Sequence, residues 1–328
     1  MQTICLLNDS FPPVIDGVAN AVLNYGENLH ALGDDPIVVT PEYPGADDGG
    51  YPFPVLRYPA LDLRSMTAGY MAGVPFAPEV MRQLTEHKPA LLHSHCPIVS
   101  TMLGREFRQV LDVPLVMTYH TKFDVDIANL IHSKVLQESS KRALVENINA
   151  CDEVWAVSRG AAENLRSLGY EGECVIMQNG VDLPRGRVSE ALVQEVTSGL
   201  DLPGNVPVFL FVGRIMWYKG LRIILDAMAA LKAGGKDFRM VFVGGGGDFK
   251  KLQRESESAG QVLFPRPGGG PGEAPGLVLP GKSFPVPLHL RYQRSGSPGG
   301  CGLRPGRCAD WRQLCRRGRY RRTQRPAD

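Results

Sequence analysis

Short apolar runs alternate with amphipathic stretches over residues 1–182. The runs are continuous, which is typical of strands that are buried on both faces in a parallel sheet. Strands are predicted at 3–9, 36–40, 53–59, 90–95, 114–121 and 153–158, and residues 174–182 are predicted to begin as a strand and end as a loop. The intervening stretches carry apolar residues at helical spacing and predict helices at 18–33, 77–87, 99–111, 133–150 and 159–169. This alternation predicts an α/β domain with a doubly wound parallel sheet.

A second series of strands and helices follows a break in this pattern. Residues 183–205 show no regular periodicity, and we interpret them as an interdomain connection. The strand "VPVFLFVG" then opens what is predicted to be a second Rossmann-like domain over residues 206–260. Because the pattern stops near residue 260, we expect this second domain to be incomplete.

The charge of the chain is unevenly distributed. The formal net charge is +2, but residues 261–328 contain 13 of the 36 basic residues and three of the 34 acidic ones. The charge is therefore +10 in this tail and −8 in residues 1–260. Glycine and proline make up 22 of the 68 tail residues, so we expect a disordered tail rich in Gly, Pro and Arg. A basic arm of this kind is typical of proteins that bind nucleic acid or acidic membranes.

The cysteines and the N-terminal residues predict a cytoplasmic protein. Four cysteines precede the tail and none belongs to a CxxC pair, namely Cys5, Cys96, Cys151 and Cys174. We expect buried, reduced thiols rather than a disulfide framework. The first residues lack the basic region and apolar core of a signal peptide, and no apolar run approaches the roughly 20 residues of a membrane span.

Polar residues at the carboxyl ends of the predicted strands are candidates for ligand binding, because ligands of open α/β sheets bind there. Asp16 and Gly17 precede a helix N-terminus whose amides favour phosphate, although a simple tight turn would have the same residues. His120 ends the strand "PLVMTYHT" and is followed by Lys122. A lone histidine is often a structural hydrogen-bonding group, and its place at a strand end also allows a catalytic role.

The sequence "HSHC" at residues 93–96 raises the question of a metal site. Alternation along a strand places His93 and His95 on one face. No further cluster of metal ligands is evident, so we expect no metal and interpret His95 as lining a cleft. Ser158 and Asn179 follow two later strands and are further candidates for the cleft lining.

The stretch "VGRIMWYKG", residues 212–220, is the most informative part of the second domain. Arg214 follows a buried strand, and Lys219 comes five residues later at the start of the next helix. Two cations and a helix N-terminus at one point suit a diphosphate, whereas the alternative is a pair of solvated surface cations. The glycine run that includes Gly244 and Gly245 is a weaker indication of a loop that admits a nucleotide.

Five stretches share their order and spacing with one enzyme family. They are "SFPPVIDGVANAV", "TYHT", "QNGVD", "VGRIMWYKG" and "VGGGGDFKKL". Together, over residues 1–260, they resemble the group-1 glycosyltransferases, family four, of the GT-B fold. The resemblance implies two Rossmann-like domains that face a cleft, the first binding the acceptor and the second a nucleotide sugar. It also implies transfer with retention to a lipid or other hydroxyl acceptor.

The same resemblance implies roles for particular residues. Arg214 and Lys219 would hold the donor diphosphate and offset the charge of the departing nucleotide, so no metal or other cofactor is expected. Gly17 would lie against that diphosphate, and His120 would contact the transferred sugar as the catalytic residue. The implied partners are a nucleotide-sugar donor and a lipid or small-molecule acceptor, with peripheral association of the protein with the inner membrane face.

One motif of the family is missing from the chain as written. The family should continue with a pair of glutamates in the pattern E-x7-E, and no two acids after Asp248 have that spacing. Codons for residues 284–305 that are read one nucleotide later permit a family-like string with acidic residues at positions 291 and 299. We therefore hypothesise a frameshift near residues 255–261, which predicts weak or no transferase activity. Sequencing the gene across this point tests the hypothesis.

Two other functions are open on the sequence alone. A GT-B-like sugar-nucleotide epimerase or phosphorylase would share the fold, whereas nucleotide release that requires an acceptor would favour the transferase. A nucleic-acid-binding protein that uses the arginines of 261–328 would show salt-dependent binding that is lost when the tail is deleted. Because the frameshift hypothesis interprets this tail as out of frame, we assign no function to its arginines and expect no nucleic-acid partner.

Overall fold

The structure is a computed structural model of the chain. It describes residues 1–14, 16–64, 69–120, 123, 127–128, 131–180, 189, 191, 197, 200–256 and 262–264. The candidate Lys122 and almost all of the predicted tail, including positions 291 and 299, lie outside the described residues. The described residues divide into two compact units, unit 1 within Met1–Asp182 and unit 2 within Leu183–Gly302.

A parallel sheet forms the centre of unit 1. Its strands are β1 (Thr3–Leu7), β2 (Asp35–Pro41), β3 (Val55–Tyr58), β6 (Leu91–Ser94), β7 (Leu115–Tyr119), β8 (Glu153–Ala156) and β9 (Val175–Ile176). Among the described residues their order is β3-β2-β1-β6-β7-β8-β9, and all neighbours pair in parallel. The seven predicted strands are confirmed. A short antiparallel pair, β4 (Ala60–Leu61) and β5 (Ala72–Gly73), was not predicted.

Helices cover both faces of this sheet. They are α1 (Gly17–Ala31), α2 (Pro78–His87), α3 (Val99–Leu111), α4 (Lys134–Asn149) and α5 (Arg159–Ser167). Ile4 and Leu6 of β1 pack in one hydrophobic cluster with Val22 of α1, while Leu7 packs in another with Leu103 of α3. Successive residues of β1 are therefore buried on opposite faces, which explains the continuous apolar run of the sequence.

Unit 2 contains a smaller parallel sheet in its described part. The strands are β10 (Val208–Val212), β11 (Arg239–Val243) and β12 (Val262–Leu263), in the order β10-β11-β12. A 3₁₀ turn at Trp217–Lys219 precedes α6 (Leu221–Ala233), and α7 (Phe249–Ser256) follows β11. The second domain was predicted to extend only to residue 260, and this boundary is too early. Strand β12 pairs with β11, and the ring of Phe264 stacks on that of Phe242 with centroids 5.7 Å apart.

No helix within the described ranges is both long enough and apolar enough to span a membrane. The four cysteines of this part of the chain are free, and Cys5 is fully buried in β1.

Candidate functional site

The strand order of unit 1 changes direction at β1, which pairs with β2 on one side and with β6 on the other. Ligands of doubly wound sheets bind beyond the carboxyl ends of the strands at such a point. The loops that follow β1, β6 and β7 carry Asp16, Gly17, His95 and His120. The site residues predicted from the sequence therefore follow the strands at, and next to, the point where the strand order changes direction, which we call the switch point.

Two of the predicted cleft residues are helix N-caps. Oδ1 of Asp16 accepts hydrogen bonds from the amides of Val18 (2.7 Å) and Ala19 (2.8 Å), and Oδ2 accepts one from Oγ of Ser10 (2.8 Å). Oγ of Ser158 accepts a hydrogen bond from the amide of the third residue of α5 at 3.1 Å. Both side chains thus stabilise the starts of helices, which accounts for an acid and a serine at these positions.

Gly17 is exposed at the first position of α1. A Cβ placed on it would meet no atom within 4 Å. Gly26 of the same helix differs, since a Cβ there would come within 2.6 Å of the ring of Phe53. Because neither packing nor backbone geometry requires glycine at position 17, the open space beside it is accessible to a ligand.

Three polar side chains of unit 1 form a hydrogen-bonded chain near the ends of β6, β7 and β9. Nδ1 of His95 lies 2.9 Å from Nε2 of His120, and Nδ1 of His120 lies 3.3 Å from Nδ2 of Asn179. His95 is buried and Asn179 is exposed, so the chain runs from the interior to the surface. The structure thereby brings three sequence-predicted residues together.

Burial keeps these two histidines neutral. Desolvation lowers the pKa of His120 to about 4 and lowers the pKa of His95 well below its ordinary value. The negative charge of Asp16 acts in the opposite direction on the pKa of His120, so the start of α1 lies close to this side chain. At neutral pH each imidazole can therefore donate one hydrogen bond and accept one.

His93 lies beside this chain and has a different polar partner. Its Nε2 lies 2.7 Å from Oγ1 of Thr118 in a buried contact. Within the described part of the chain, no group of three or more His, Cys, Asp or Glu side chains is placed to hold a metal ion. The residues of "HSHC" therefore have no zinc-ligand set in that part.

In unit 2, the loops that follow β10 and β11 are joined through their backbones. The amide of Ile215 donates a hydrogen bond to the carbonyl of Gly245 (2.8 Å), and the amide of Asp248 donates one to the carbonyl of Ile215 (3.2 Å). Oδ2 of Asp248 accepts a hydrogen bond from the amide of Trp217 at 2.9 Å. The side chain of Ile215 is fully buried, so the first loop is fixed by packing as well as by hydrogen bonds.

Gly244 is required by this contact between the two loops. Its φ is +142°, and a Cβ there would lie 2.0 Å from the carbonyl oxygen of Gly213. The absence of a side chain at Gly244 therefore allows the backbone of Gly213 to approach closely. From the sequence alone, the glycine run is interpreted as a loop that admits a nucleotide. Gly245 likewise serves the loop contact, through its carbonyl.

Arg214 and Lys219 project from the first of these loops. Both are exposed, and both contact Tyr218: Nη2 of Arg214 donates a hydrogen bond to the hydroxyl at 3.2 Å, and Nζ of Lys219 lies 5.3 Å from the ring centroid. The two cations predicted from "VGRIMWYKG" are thus brought to one tyrosine. A guanidinium and an ammonium group so placed can bind a phosphate or diphosphate.

Tyr218 and Asp248 were not among the site residues predicted from the sequence. An acid that directly follows a glycine run and precedes an amphipathic stretch is a pattern typical of a helix start, so a signal for Asp248 existed. Tyr218 had no comparable signal, because its contacts with the two cations depend on the 3₁₀ turn Trp217–Lys219.

Comparison with known proteins supplies the family. The profile of Glycosyltransferase Family 4 matches residues 15–185, and that of Glycosyl transferases group 1 matches residues 194–264. The GDP-mannose-dependent alpha-mannosyltransferase of Corynebacterium glutamicum is 29% identical over 262 residues, which are 76% of this chain and 59% of the relative. Alpha-monoglucosyldiacylglycerol synthase of Acholeplasma laidlawii is 24% identical over 266 residues, 78% of this chain and 66% of the relative. The chain thus spans less than two thirds of either relative's length.

A solved structure supports the fold. The catalytic domain of starch synthase IV from Arabidopsis thaliana aligns with a TM-score of 0.56 at 14% identity, over 80% of this chain and 73% of that chain. The fold is GT-B, with two Rossmann-like units, as the motifs implied. Since the first family profile alone covers more than half of the residues, the chain belongs to glycosyltransferase family 4.

Proposed function

We propose that this chain binds a nucleotide sugar through its diphosphate and transfers the sugar to a hydroxyl group with retention at the anomeric carbon. The observation that carries the proposal is the pair Arg214 and Lys219 at Tyr218, on a loop held by hydrogen bonds and a buried isoleucine. The names of two relatives, which specify a GDP-mannose donor and a glucosylated diacylglycerol, support a nucleotide-sugar donor and a lipid acceptor.

In the proposed reaction, the bond between the anomeric carbon and the diphosphate oxygen breaks, and the nucleoside diphosphate leaves with the electron pair. The acceptor oxygen bonds to the same carbon, and its proton passes to the departing diphosphate. Arg214 and Lys219 stabilise the negative charge that develops on the leaving oxygen. We propose that these two cations replace the divalent metal that other transferases use, so no metal is needed.

Two residues of unit 1 complete the proposal. His120 contacts the transferred sugar, because it follows the carboxyl end of β7 and its ring contacts the exposed side chain of Asn179. Gly17 contacts a phosphate of the donor, because the space beside it is open at a helix N-terminus, where the helix dipole favours negative charge.

Calorimetric titration of the purified 328-residue chain with GDP and with UDP tests the donor site. Arg214→Ala and Lys219→Ala should each weaken binding at least about tenfold, since a hydrogen bond to a charged group contributes about 1.5–3 kcal/mol. Lys236→Ala is the matched control, because this exposed lysine follows the other end of α6. Equal weakening by the control would mean that the two cations act only through overall charge, and the proposed site would be wrong.

Transfer is measured with GDP-mannose and UDP-sugars in the presence of diacylglycerol vesicles. Nucleotide release that depends on the acceptor distinguishes a transferase from an epimerase or phosphorylase. We expect slow transfer, because no E-x7-E pair follows Asp248, and we expect EDTA to leave the rate unchanged. An inverted anomeric centre in the product would contradict retention, and failure to cosediment with anionic vesicles would contradict peripheral membrane association.

A further inference from the structure

In the hydrogen-bonded chain of His95, His120 and Asn179, the buried end at His95 is held more firmly than the exposed end at Asn179. The imidazole of His95 is 1% exposed, and its ring packs against the rings of His93 (centroids 4.0 Å apart) and Tyr25 (5.1 Å). Its contact with His120 is 2.9 Å long and partly buried, whereas the contact of His120 with Asn179 is 3.3 Å long and exposed. The outer contact is therefore the one that a ligand can replace.

The chemistry of an amide fixes the direction of the hydrogen bonds along this chain. Nδ2 of Asn179 can only donate, so Nδ1 of His120 accepts and carries no proton. The proton of neutral His120 is then on Nε2, which donates to Nδ1 of His95. Such an arrangement requires neutral rings, because a protonated imidazole has no acceptor nitrogen, and burial lowers both pKa values accordingly.

Nε2 of His95, the ring nitrogen that does not contact His120, is the last group of this hydrogen-bonded chain. Its Nε2 is buried and has no hydrogen-bond partner in the described part of the protein. A buried imidazole with only one polar contact has its orientation set by that contact and by the rings packed on it. Among the described residues, the imidazole of His95 makes its one hydrogen bond with His120, and this contact directs the ring toward the candidate catalytic residue.

We infer that His95 is a positioning residue for His120: its Nδ1 accepts the Nε2–H of His120, holds that ring in one tautomer, and leaves the Nδ1 lone pair of His120 to accept a hydrogen bond from a substrate hydroxyl. The hydroxyl takes the place of the Asn179 amide, so the substrate group is a hydrogen-bond donor. The identity of that group as a sugar hydroxyl rests on the proposed function, whereas the fixed tautomer does not.

Long-range ¹H–¹⁵N spectra of the histidine side chains at pH 7 test the fixed tautomer without any substrate. Wild-type His120 should be protonated at Nε2 alone. In His95→Leu the acceptor is removed, and the His120 signals should become those of exchanging tautomers. His95→Asn should restore the Nε2–H form, because its side-chain oxygen can accept near the position of Nδ1. A wild-type His120 protonated at Nδ1, or an unchanged spectrum in His95→Leu, would overturn the inference.

His93→Gln is the matched control, since His93 is also buried, lies two residues before His95, and has its hydrogen bond with Thr118 instead of His120. It should leave the His120 tautomer unchanged, and a shift as large as that in His95→Leu would count against a specific role of His95. If His95→Leu does not fold, the wild-type and His95→Asn spectra still decide the matter.

Transfer kinetics extend the test to catalysis. His95→Leu should lower kcat about tenfold or more with little change in the KM for the acceptor, because a displaced catalytic group acts on the rate. His95→Asn should recover most of that loss. A higher KM for the acceptor with an unchanged kcat would contradict the positioning role of His95. The expected spectra in a protein that binds neither GDP nor UDP would contradict the proposed function and still support the positioning role.

Discussion

Gly17 at the start of α1 in unit 1 and Gly244 in the loop after β11 in unit 2 are both candidate site glycines, yet the fold requires glycine at only one of these positions. A Cβ at Gly17 would meet open space, whereas a Cβ at Gly244 would lie 2.0 Å from the carbonyl oxygen of Gly213. Gly244 also has a left-handed φ of +142°, which other residues rarely adopt. A glycine at a strand end therefore indicates ligand access only where no neighbouring segment fills the space beside it.

The two units also differ in whether their ionisable site residues are buried or exposed. Unit 1 buries His93 and His95 completely, while unit 2 presents Arg214 and Lys219 to solvent. Residues 183–264 contain no histidine at all. The proposed site residues of unit 1 are thus groups whose protonation is coupled to folding, whereas those of unit 2 are exposed cations.

Lowering the pH to mildly acidic values should produce the largest difference in stability between the two units. Burial lowers the pKa of His93 to about 3 and that of His120 to about 4, so between pH 6.5 and 5 the unfolded chain binds protons that the folded chain does not. The stability that these groups contribute is present above pH 6.5 and is lost as the pH falls. Unit 1 should lose several kcal/mol over this interval, at up to about 1.4 kcal/mol per pH unit for each of these histidines.

Hydrogen exchange corrected for the intrinsic effect of pH measures this loss. Amides of β1 and β6 should lose protection before those of β10 and β11. Equal loss in the two units, or earlier loss in unit 2, would show that the histidines do not control acid stability.

Gly244→Ala should have the next largest effect, confined to unit 2. The added methyl group meets backbone rather than a movable side chain, so we expect a loss of about 3 kcal/mol in the protection of β10 and β11. Gly247→Ala is the control in the same glycine run, because the nearest atom to its Cβ is Sδ of Met216 at 3.9 Å. A change beyond about 0.5 kcal/mol in the control would contradict this explanation.

Asp16→Ala should have a moderate effect in unit 1. It removes the acceptor of two amides of α1 and should cost about 1–2 kcal/mol in urea unfolding. Asp16→Asn keeps a good N-cap and should cost much less. If both variants lose the same stability, the negative charge of Asp16 rather than its capping hydrogen bonds is what matters.

Gly17→Ala should have the smallest effect on stability and a clear one on binding. Its free energy of unfolding should stay within about 0.5 kcal/mol, since the methyl group enters open space. GDP and UDP should bind about tenfold more weakly if that space belongs to the donor. Gly160→Ala, at the start of α5 and also in open space, should leave both properties unchanged. Unaltered binding in Gly17→Ala would remove Gly17 from the donor site.

Most of the fold could be predicted because the strands are apolar over their whole length. Runs such as "TICLL" are buried on both faces, so their hydrophobicity alone marks them. The pair β4 and β5 escaped prediction because two-residue strands show no periodicity. Strand β12 was missed because it is only two residues long and is followed by the Pro- and Gly-rich composition of the tail.

The site was predictable as a set of positions but not as a set of contacts. Strand ends identified His95, His120 and Asn179 separately, and parallel strands bring their carboxyl ends to one edge of a sheet. The order of hydrogen bonds among them depends on strand register and side-chain rotamers, which the sequence does not display. The contact of Gly244 with the backbone of Gly213 could not be predicted for a related reason, because a sequence does not reveal which neighbour approaches a glycine.

The pairing of β1 with β6 has a consequence for how the chain acquires its structure. Ile4 lies opposite Leu91, so the central strand pair of unit 1 joins segments far apart in sequence, whereas Val208 lies opposite Arg239 in unit 2. Closing the longer loop costs more chain entropy before any contact compensates for it. During synthesis, the middle of unit 1 must wait until β6 has left the ribosome, and β1 has to remain unpaired on that side until then.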